Sequence, residues 1–375
     1  MQKIKMVDLE GQHEKIGREI EEAIKKVIDS TAFIKGPEVY AFQDNLASYL
    51  DVKHVIGCAN GTDALQVALM SLDLNPGEEV ITTPFTFVST AETICLLGLK
   101  PVFADVDPNT FNICPEKIEK AITPKTRAVM PVHLYGQCCD MEKIMDIADK
   151  NGLIVIEDAA QALGAHYTNS NGFKSKAGVI GDIGCTSFFP TKNLGCYGDG
   201  GALFTNNSKL AEKITMLANH GMKAKYYQET VGINSRLDTI QAAILNIKLK
   251  HLDSYNLRRR EAAEFYDNEF KNNKKIITPQ RYEQSDHIFH QYTLKTGGAD
   301  RDEMKRYLES ENIPSMIYYP VPVHLQKAYK KLGFTEGDFP VAEQLSKTVI
   351  SLPMHTELNQ EQLSYITTKV NEYLN

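Results

Sequence analysis

Short apolar runs alternate with helical ones along the first two thirds of the chain. Seven runs read as strands: "HVIGCAN" from His54, "EVITT" from Glu79, "KPVFADV" from Lys100, "RAVMPVH" from Arg127, "LIVIEDAA" from Leu153, "CTSFF" from Cys185 and "GALFTN" from Gly201. They are short, rich in Val, Ile and Phe, and apolar on both faces, the pattern of strands covered on both sides. Between them, "TDALQVALMSL", "PEKIEKAI", "MEKIMDIADKNG" and "SKLAEKITMLANHG" show helical spacing. This alternation predicts an α/β fold built on a mostly parallel seven-stranded sheet.

A long helical stretch from about residue 235 to 271 follows. Beyond it, strands ("HQYTLKT", "SMIYYP") mix with helices ("DEMKRYLESEN", "QEQLSYITTKVNEYL"), which predicts a smaller C-terminal α+β domain. At 375 residues the chain exceeds one ordinary core. The expected division is a large domain over 1–250, including an N-terminal helical segment, and a small one over 251–375.

Composition narrows the class without deciding it. Hydrophobic residues at 42% and charged residues at 24% describe a soluble globular protein, and a net charge of −7 argues against nucleic-acid or membrane-surface binding. No apolar run is long enough to span a bilayer, and the first residues lack a signal-peptide core, so a cytoplasmic location is expected. The seven cysteines include no C-x-x-C pair; adjacent Cys138 and Cys139 read as reduced thiols rather than metal ligands.

Open α/β sheets place their sites at the carboxyl ends of the strands, and three of those ends carry unusual chemistry. After "HVIGCAN", Gly61 and Thr62 open a helix whose free N–H groups and dipole suit a phosphate; Thr62 could equally be a helix cap. After "LIVI", Glu157 and Asp158 bring a carboxylate to the cleft, with Gln161 three residues on. After "CTSFF", Lys192 follows Ser187 with little polar surface around it, as expected of a lysine whose amine is kept nucleophilic. A phosphate cradle, a carboxylate and a Schiff-base lysine together specify pyridoxal 5′-phosphate. Lys192 condenses with the aldehyde, Asp158 keeps the pyridine nitrogen protonated, and Thr62, Ser187 and the helix N-terminus take the phosphate. Phe85 and Phe87 in "TTPFTFVST" offer an aromatic face for the ring. The glycines of "NLGCYGDGGA" are expected to allow a tight return, with a positive φ at Gly198 or Gly200.

These stretches, with "FIKGPEVYAFQ", "VIEDAAQALGA" and "NSRLDTIQAAIL", resemble the DegT/DnrJ/EryC1/StrS sugar aminotransferases, which have the aspartate-aminotransferase-like fold. The resemblance runs over essentially the whole chain. It implies that Lys192 carries the cofactor, Asp158 pairs with its ring nitrogen, Gln161 contacts the 3′-oxygen and Phe87 stacks on the ring, while Gly61, Thr62 and Ser187 bind phosphate. It also implies a homodimer with shared active sites, in which Asn234 reaches the neighbouring subunit's phosphate. The wording "CANGTDALQ", "LYGQC" and "NSRLDT" is similar to that of UDP-2-acetamido-2-deoxy-3-oxo-D-glucuronate aminotransferases. A keto nucleotide-sugar substrate, L-glutamate as amino donor and a role in surface polysaccharide (lipopolysaccharide, O-antigen) synthesis follow from that likeness. Arg236 would take the sugar carboxylate, or else pair with Asp238, and Tyr318, Tyr319 and His324 would line the sugar pocket.

Other readings compete. Another 3-keto or 4-keto UDP- or dTDP-sugar fits the same class. PLP-dependent sugar dehydration is disfavoured because those relatives carry histidine at the position of Lys192. A non-catalytic nucleotide-sugar-binding protein would not need Lys192, Asp158 and Gln161 together. A metal-dependent glycosyltransferase rests on Asp105 and Asp107 alone, which also read as turn residues. His287 and His290 in "HIFH" read as structural.

Overall fold

The computed structural model describes residues 3–374. After two N-terminal helices, α1 (Leu9–Ser30) and α2 (Pro37–Leu50), the chain lays down β1 (His54–Cys58), helix α3 (Gly61–Met70), β2 (Glu79–Thr82), β3 (Lys100–Phe103), β4 (Thr126–Val129), β5 (Ile154–Asp158), β6 (Ile183–Ser187) and β7 (Gly201–Thr205). These seven strands form one sheet in the order β1-β7-β6-β5-β4-β2-β3. Only β7 runs against the others, pairing antiparallel with both β1 and β6.

Cores lie on both sheet faces, as strands without an alternating polar side require. On one face Ile56, Ile156 and Leu203 pack under Leu65 and Ala68 of α3 and under the helix Ser208–Leu217. On the other, Ile81, Val129 and Val155 pack under Ile144 and Ala148 of the helix Met141–Asn151. Strand alternation sends neighbouring side chains to opposite faces. Asp158 therefore shares the face of Ile156, and Glu157 shares that of Val155.

The helix Leu252–Phe270 joins two cores: Leu252 packs with α2 and Phe188, whereas Ala262, Tyr266 and Phe270 pack in a separate C-terminal cluster. That cluster covers an antiparallel three-stranded sheet with Tyr292–Thr296 between Ile276–Ile277 and Val349–Leu352. It also takes in Ile4, and the Met354 N–H donates to the Met6 carbonyl at 3.3 Å. The segment before α1 thus packs with the C-terminal part of the chain. Among the described residues, no helix is long and apolar enough to cross a membrane.

Candidate active site

A cleft of about 700 Å³ opens at the carboxyl ends of β1, β5 and β6, and the C-terminal segment closes its far side. Gly61, Thr62, Phe87, Asp158, Gln161, Ser187, Lys192, Tyr318 and Tyr319 all line it. Lys192 is the only lysine or arginine among the described residues that do.

Lys192 sits in the turn after β6, which its own N–H closes onto the Phe189 carbonyl at 2.8 Å. Burial drives its amine pKa down to about 8 against the attraction of the Asp158 carboxylate. Far more of the amine is therefore neutral near physiological pH than in an ordinary lysine, although the charged form still predominates. Asp158 is buried at the end of β5, where Oδ2 accepts from the Thr90 hydroxyl at 3.0 Å and Oδ1 from the Ala160 N–H at 3.2 Å. Burial raises its carboxyl pKa, partly offset by those donors and by Lys192. A cation brought beside Asp158 would relieve that desolvation.

Its neighbour Glu157 faces the other core. There its carboxylate accepts from His133 Nε2 at 2.8 Å and from the N–H groups of Gly178, Ile180 and Gly181 at 2.9, 2.6 and 2.6 Å. The adjacent acids thus divide into one that is fully satisfied within the fold and one that meets the cleft.

The corner of the cleft at the start of α3 is built from two strand ends in close contact. Asn60, rather than Thr62, caps α3: its side chain accepts from the Asp63 N–H at 2.8 Å, leaving the Thr62 hydroxyl at the cleft wall. Gly61 lies against Ser187 so closely that a Cβ there would be 2.6 Å from the Ser187 Cβ. Glycine is needed for proximity. The same holds in the loop after Lys192, where neither Gly198 nor Gly200 has the expected positive φ. A Cβ on Gly195 would lie 2.4 Å from the Pro190 carbonyl, and one on Gly201 2.4 Å from the Asn60 carbonyl.

Of the two phenylalanines after β2, Phe85 is buried, whereas Phe87 is 57% exposed on the cleft, 6.4 Å from the Tyr319 ring. Gln161 accepts from the Tyr135 N–H at 2.7 Å and donates to the Tyr319 hydroxyl at 3.1 Å, tying the sheet to the opposite wall.

Three of the expected residues lie elsewhere. His324 is buried, bonded through Nε2 to Glu343 at 3.1 Å and packed on Phe339, and does not line the cleft. Asn234 is exposed and Arg236 half-buried beside a separate shallow groove, both outside this chain's own cleft. Among the described residues, Arg236 forms no ion pair with Asp238. Asp105 caps the helix Pro340–Thr348 through the N–H groups of Val341 and Ala342, each at 3.0 Å, and Asp107 closes a turn on Asn109 and Thr110.

Sequence reasoning missed Thr90, Asn60, His290 and Gln291. A hydroxyl one turn into the helix after Phe87 and an Asn-Gly step before α3 were signals for the first two. His290, read as structural with His287 in "HIFH", lines the cleft instead, and Gln291 stands out only as a polar residue heading the apolar strand "HQYTLKT". The cleft residues Met6 and Val7 carry no local signal at all.

The sequence matches the signature of the DegT/DnrJ/EryC1/StrS aminotransferase family over residues 14–371. The chain belongs to this family. Members of the family are pyridoxal 5′-phosphate-dependent sugar aminotransferases, and so is this one. The chain is 46% identical to a Geobacillus stearothermophilus pleiotropic regulatory protein, covering 99% of this chain and 98% of that one. It is 42% identical to the Pseudomonas aeruginosa UDP-2-acetamido-2-deoxy-3-oxo-D-glucuronate aminotransferase (97% and 98%). It is 44% identical to the Acidithiobacillus ferrooxidans UDP-N-acetyl-3-dehydro-alpha-D-glucosamine 3-aminotransferase (99% and 98%). The crystal structure of S. venezuelae DesV in complex with a ketimine intermediate superposes with a TM-score of 0.96 at 39% identity, covering 100% of this chain and 99% of that one.

The cleft of this family member fits its cofactor. The Asp158 carboxyl is raised by burial and suits a protonated ring nitrogen, the neutral-prone Lys192 amine suits the aldehyde, and the exposed Phe87 suits the ring face.

Proposed function

We propose that this enzyme aminates the keto group of a UDP-linked 3-keto sugar, with UDP-2-acetamido-2-deoxy-3-oxo-D-glucuronate as substrate and L-glutamate as amino donor. The observation that carries the reaction class is Lys192, held half-buried at a lowered pKa opposite Asp158 in one cleft. When bound, pyridoxal 5′-phosphate supplies an aldehyde and a ring that withdraws electrons from the carbon next to the substrate nitrogen. Lys192 holds the aldehyde at rest and, as a free amine, moves the proton at that carbon. Asp158 keeps positive charge on the ring nitrogen, while Gly61, Thr62 and Ser187 hold the phosphate at the α3 N-terminus. Phe87 covers one face, and Gln161 orients the ring oxygen. Tyr318 and Tyr319 flank the sugar.

The carboxylate preference rests on the likeness to the glucuronate enzyme and on Arg236. Because Arg236 lies outside its own chain's cleft, it acts in this reading from a second subunit of a homodimer, beside Asn234. The lack of arginine in the cleft, with the likeness to the glucosamine enzyme, favours an uncharged 3-keto UDP-N-acetylglucosamine as the second reading. We place the enzyme in the cytoplasm, feeding surface polysaccharide synthesis.

The deciding experiment is a glutamate-coupled assay on matched UDP-3-keto sugars with and without the carboxylate, and on a dTDP-4-keto sugar. The expected order is carboxylate-bearing first by at least tenfold. Equal rates on the 4-keto sugar would overturn the assignment.

A further inference from the structure

Behind the lysine turn runs a chain of buried polar side chains whose direction can be read from one end. The Leu163 carbonyl can only accept, and it takes Asn256 Nδ2 at 3.3 Å. Asn256 Oδ1 is left to accept from Asn193 Nδ2 at 2.7 Å, and that same Nδ2 lies 3.4 Å from the Ile288 carbonyl, which also can only accept. Asn193 Oδ1 must therefore face His290, whose Nδ1 lies 3.2 Å away. Two acceptors cannot share a contact, so Nδ1 carries the hydrogen. Asn193, Asn256 and His290 are 5, 2 and 9% exposed, and a mismatched donor or acceptor here would be costly. The chain passes Gly164, where a Cβ would lie 2.6 Å from Asn256 Nδ2.

A neutral imidazole with its hydrogen on Nδ1 has its lone pair on Nε2, and the His290 ring lines the cleft. Burial, then the charges of Lys192 and Arg259, keep its pKa well below the ordinary 6.5. Lys192, in the turn after β6, and Asp158, at the end of β5, line the same cleft as the ring. Arg259 faces the ring from the helix Leu252–Phe270, tied to the carbonyls of Phe289, His290 and Met354.

We infer that Asn193 is a positioning residue, which fixes His290 as the Nδ1–H tautomer and so presents an uncharged acceptor, Nε2, to the cleft that holds Lys192. That acceptor is available to the Lys192 amine whenever the amine is free of the cofactor, without adding a second positive charge to the cleft. The inference rests on the family's cofactor chemistry and on neither the sugar nor the amino donor.

In holoenzyme labelled with ¹⁵N-histidine, the His290 signal, assigned by its loss in His290→Gln, is expected to show protonated Nδ1 and bare Nε2 from pH 6 to 9. An imidazolium at pH 7, or the hydrogen on Nε2, overturns the inference. A second arm follows capture of pyridoxal 5′-phosphate by the apo full-length chain through the absorbance of the bound cofactor. His290→Phe should slow capture about tenfold. His290→Gln, which supplies both a donor to Asn193 and an acceptor to the cleft, should recover to within about threefold. Asn193→Asp should raise the His290 pKa and steepen the acid side of the profile between roughly pH 5.5 and 7, beyond the fall that protonation of Lys192 gives both proteins below about 8. Equal capture rates in the Phe and Gln variants, or an Asn193→Asp profile that parallels the wild type, would count against it. No arm uses a sugar or an amino donor, so failure here is separable from failure of the substrate assignment.

Discussion

The sheet side of the cleft and the segment from Met222 to Arg236 form two contrasting regions. On the sheet side the groups follow strand ends, and Asp158 is braced there by the Ala160 N–H and the Thr90 hydroxyl. The other region projects a short hairpin, Met222–Ala224 with Tyr227–Gln228, and leaves Tyr226, Tyr227 and Val231 at 77, 73 and 85% exposure. One region is placed by the sheet of a single chain; the other leaves apolar surface exposed. The contrast teaches that the groups of the cleft wall are set by strand ends, whereas any part played by Asn234 and Arg236 depends on association.

The severest way to break the sheet region is Lys192→Ala. Transamination should fall by at least about a thousandfold, and borohydride should no longer fix cofactor to the protein. Asp158→Asn should follow with a loss of about a hundredfold, and it should also lower the Lys192 pKa further below about 8, because Asp158 is the attraction that opposes burial there. A pH titration of cofactor uptake checks the second effect.

The associative region is tested by mixing inactive subunits. If Asn234 acts across a dimer, Lys192→Ala and Asn234→Ala chains should complement, since each mixed dimer regains one intact site. Random mixing should then restore about a quarter of the wild-type sites. Activity no higher than the sum of the parents would refute sharing. A milder effect is expected at Arg236→Ala: KM for the carboxylate-bearing sugar should rise about tenfold, with the uncharged sugar unaffected.

The smallest effect sets the region's chemistry against its stability. The pKa of Lys192 is about 8 in the fold and 10.5 ordinarily, so between these values the unfolded chain binds more protons. Stability of the apo-protein should therefore rise with pH across that window. At pH 7, Lys192→Met should melt a few degrees above the wild type, and thermal melts should show that gap closing by pH 10.

Much of the sheet side was legible because each of its residues lies within a few positions of an apolar run, so local pattern and position coincide. The seven strands, the roles available to Gly61, Asp158 and Lys192, and the choice of a parallel sheet all came from such neighbourhoods. What escaped depends on chain meeting chain. His324 was read as a pocket residue because it follows two tyrosines that do line the cleft, but the turn at Val323–Leu325 carries it into the core against Glu343. Asn60 and Thr62 compete for one cap within three residues, and the winner is decided by backbone geometry. The glycines after Lys192 suggested unusual torsions, yet they answer to crowding by segments distant in sequence.

That crowding has a wider consequence. The antiparallel β7 begins on glycines that let β1 and β6 lean together across it until Gly61 meets Ser187. The corner proposed to hold the phosphate is thus a gap gauged by backbone thickness. A single methyl group at Gly201, which never needs to approach the phosphate, would pry its two jaws apart, so affinity for the cofactor serves as a ruler for the spacing of three strands.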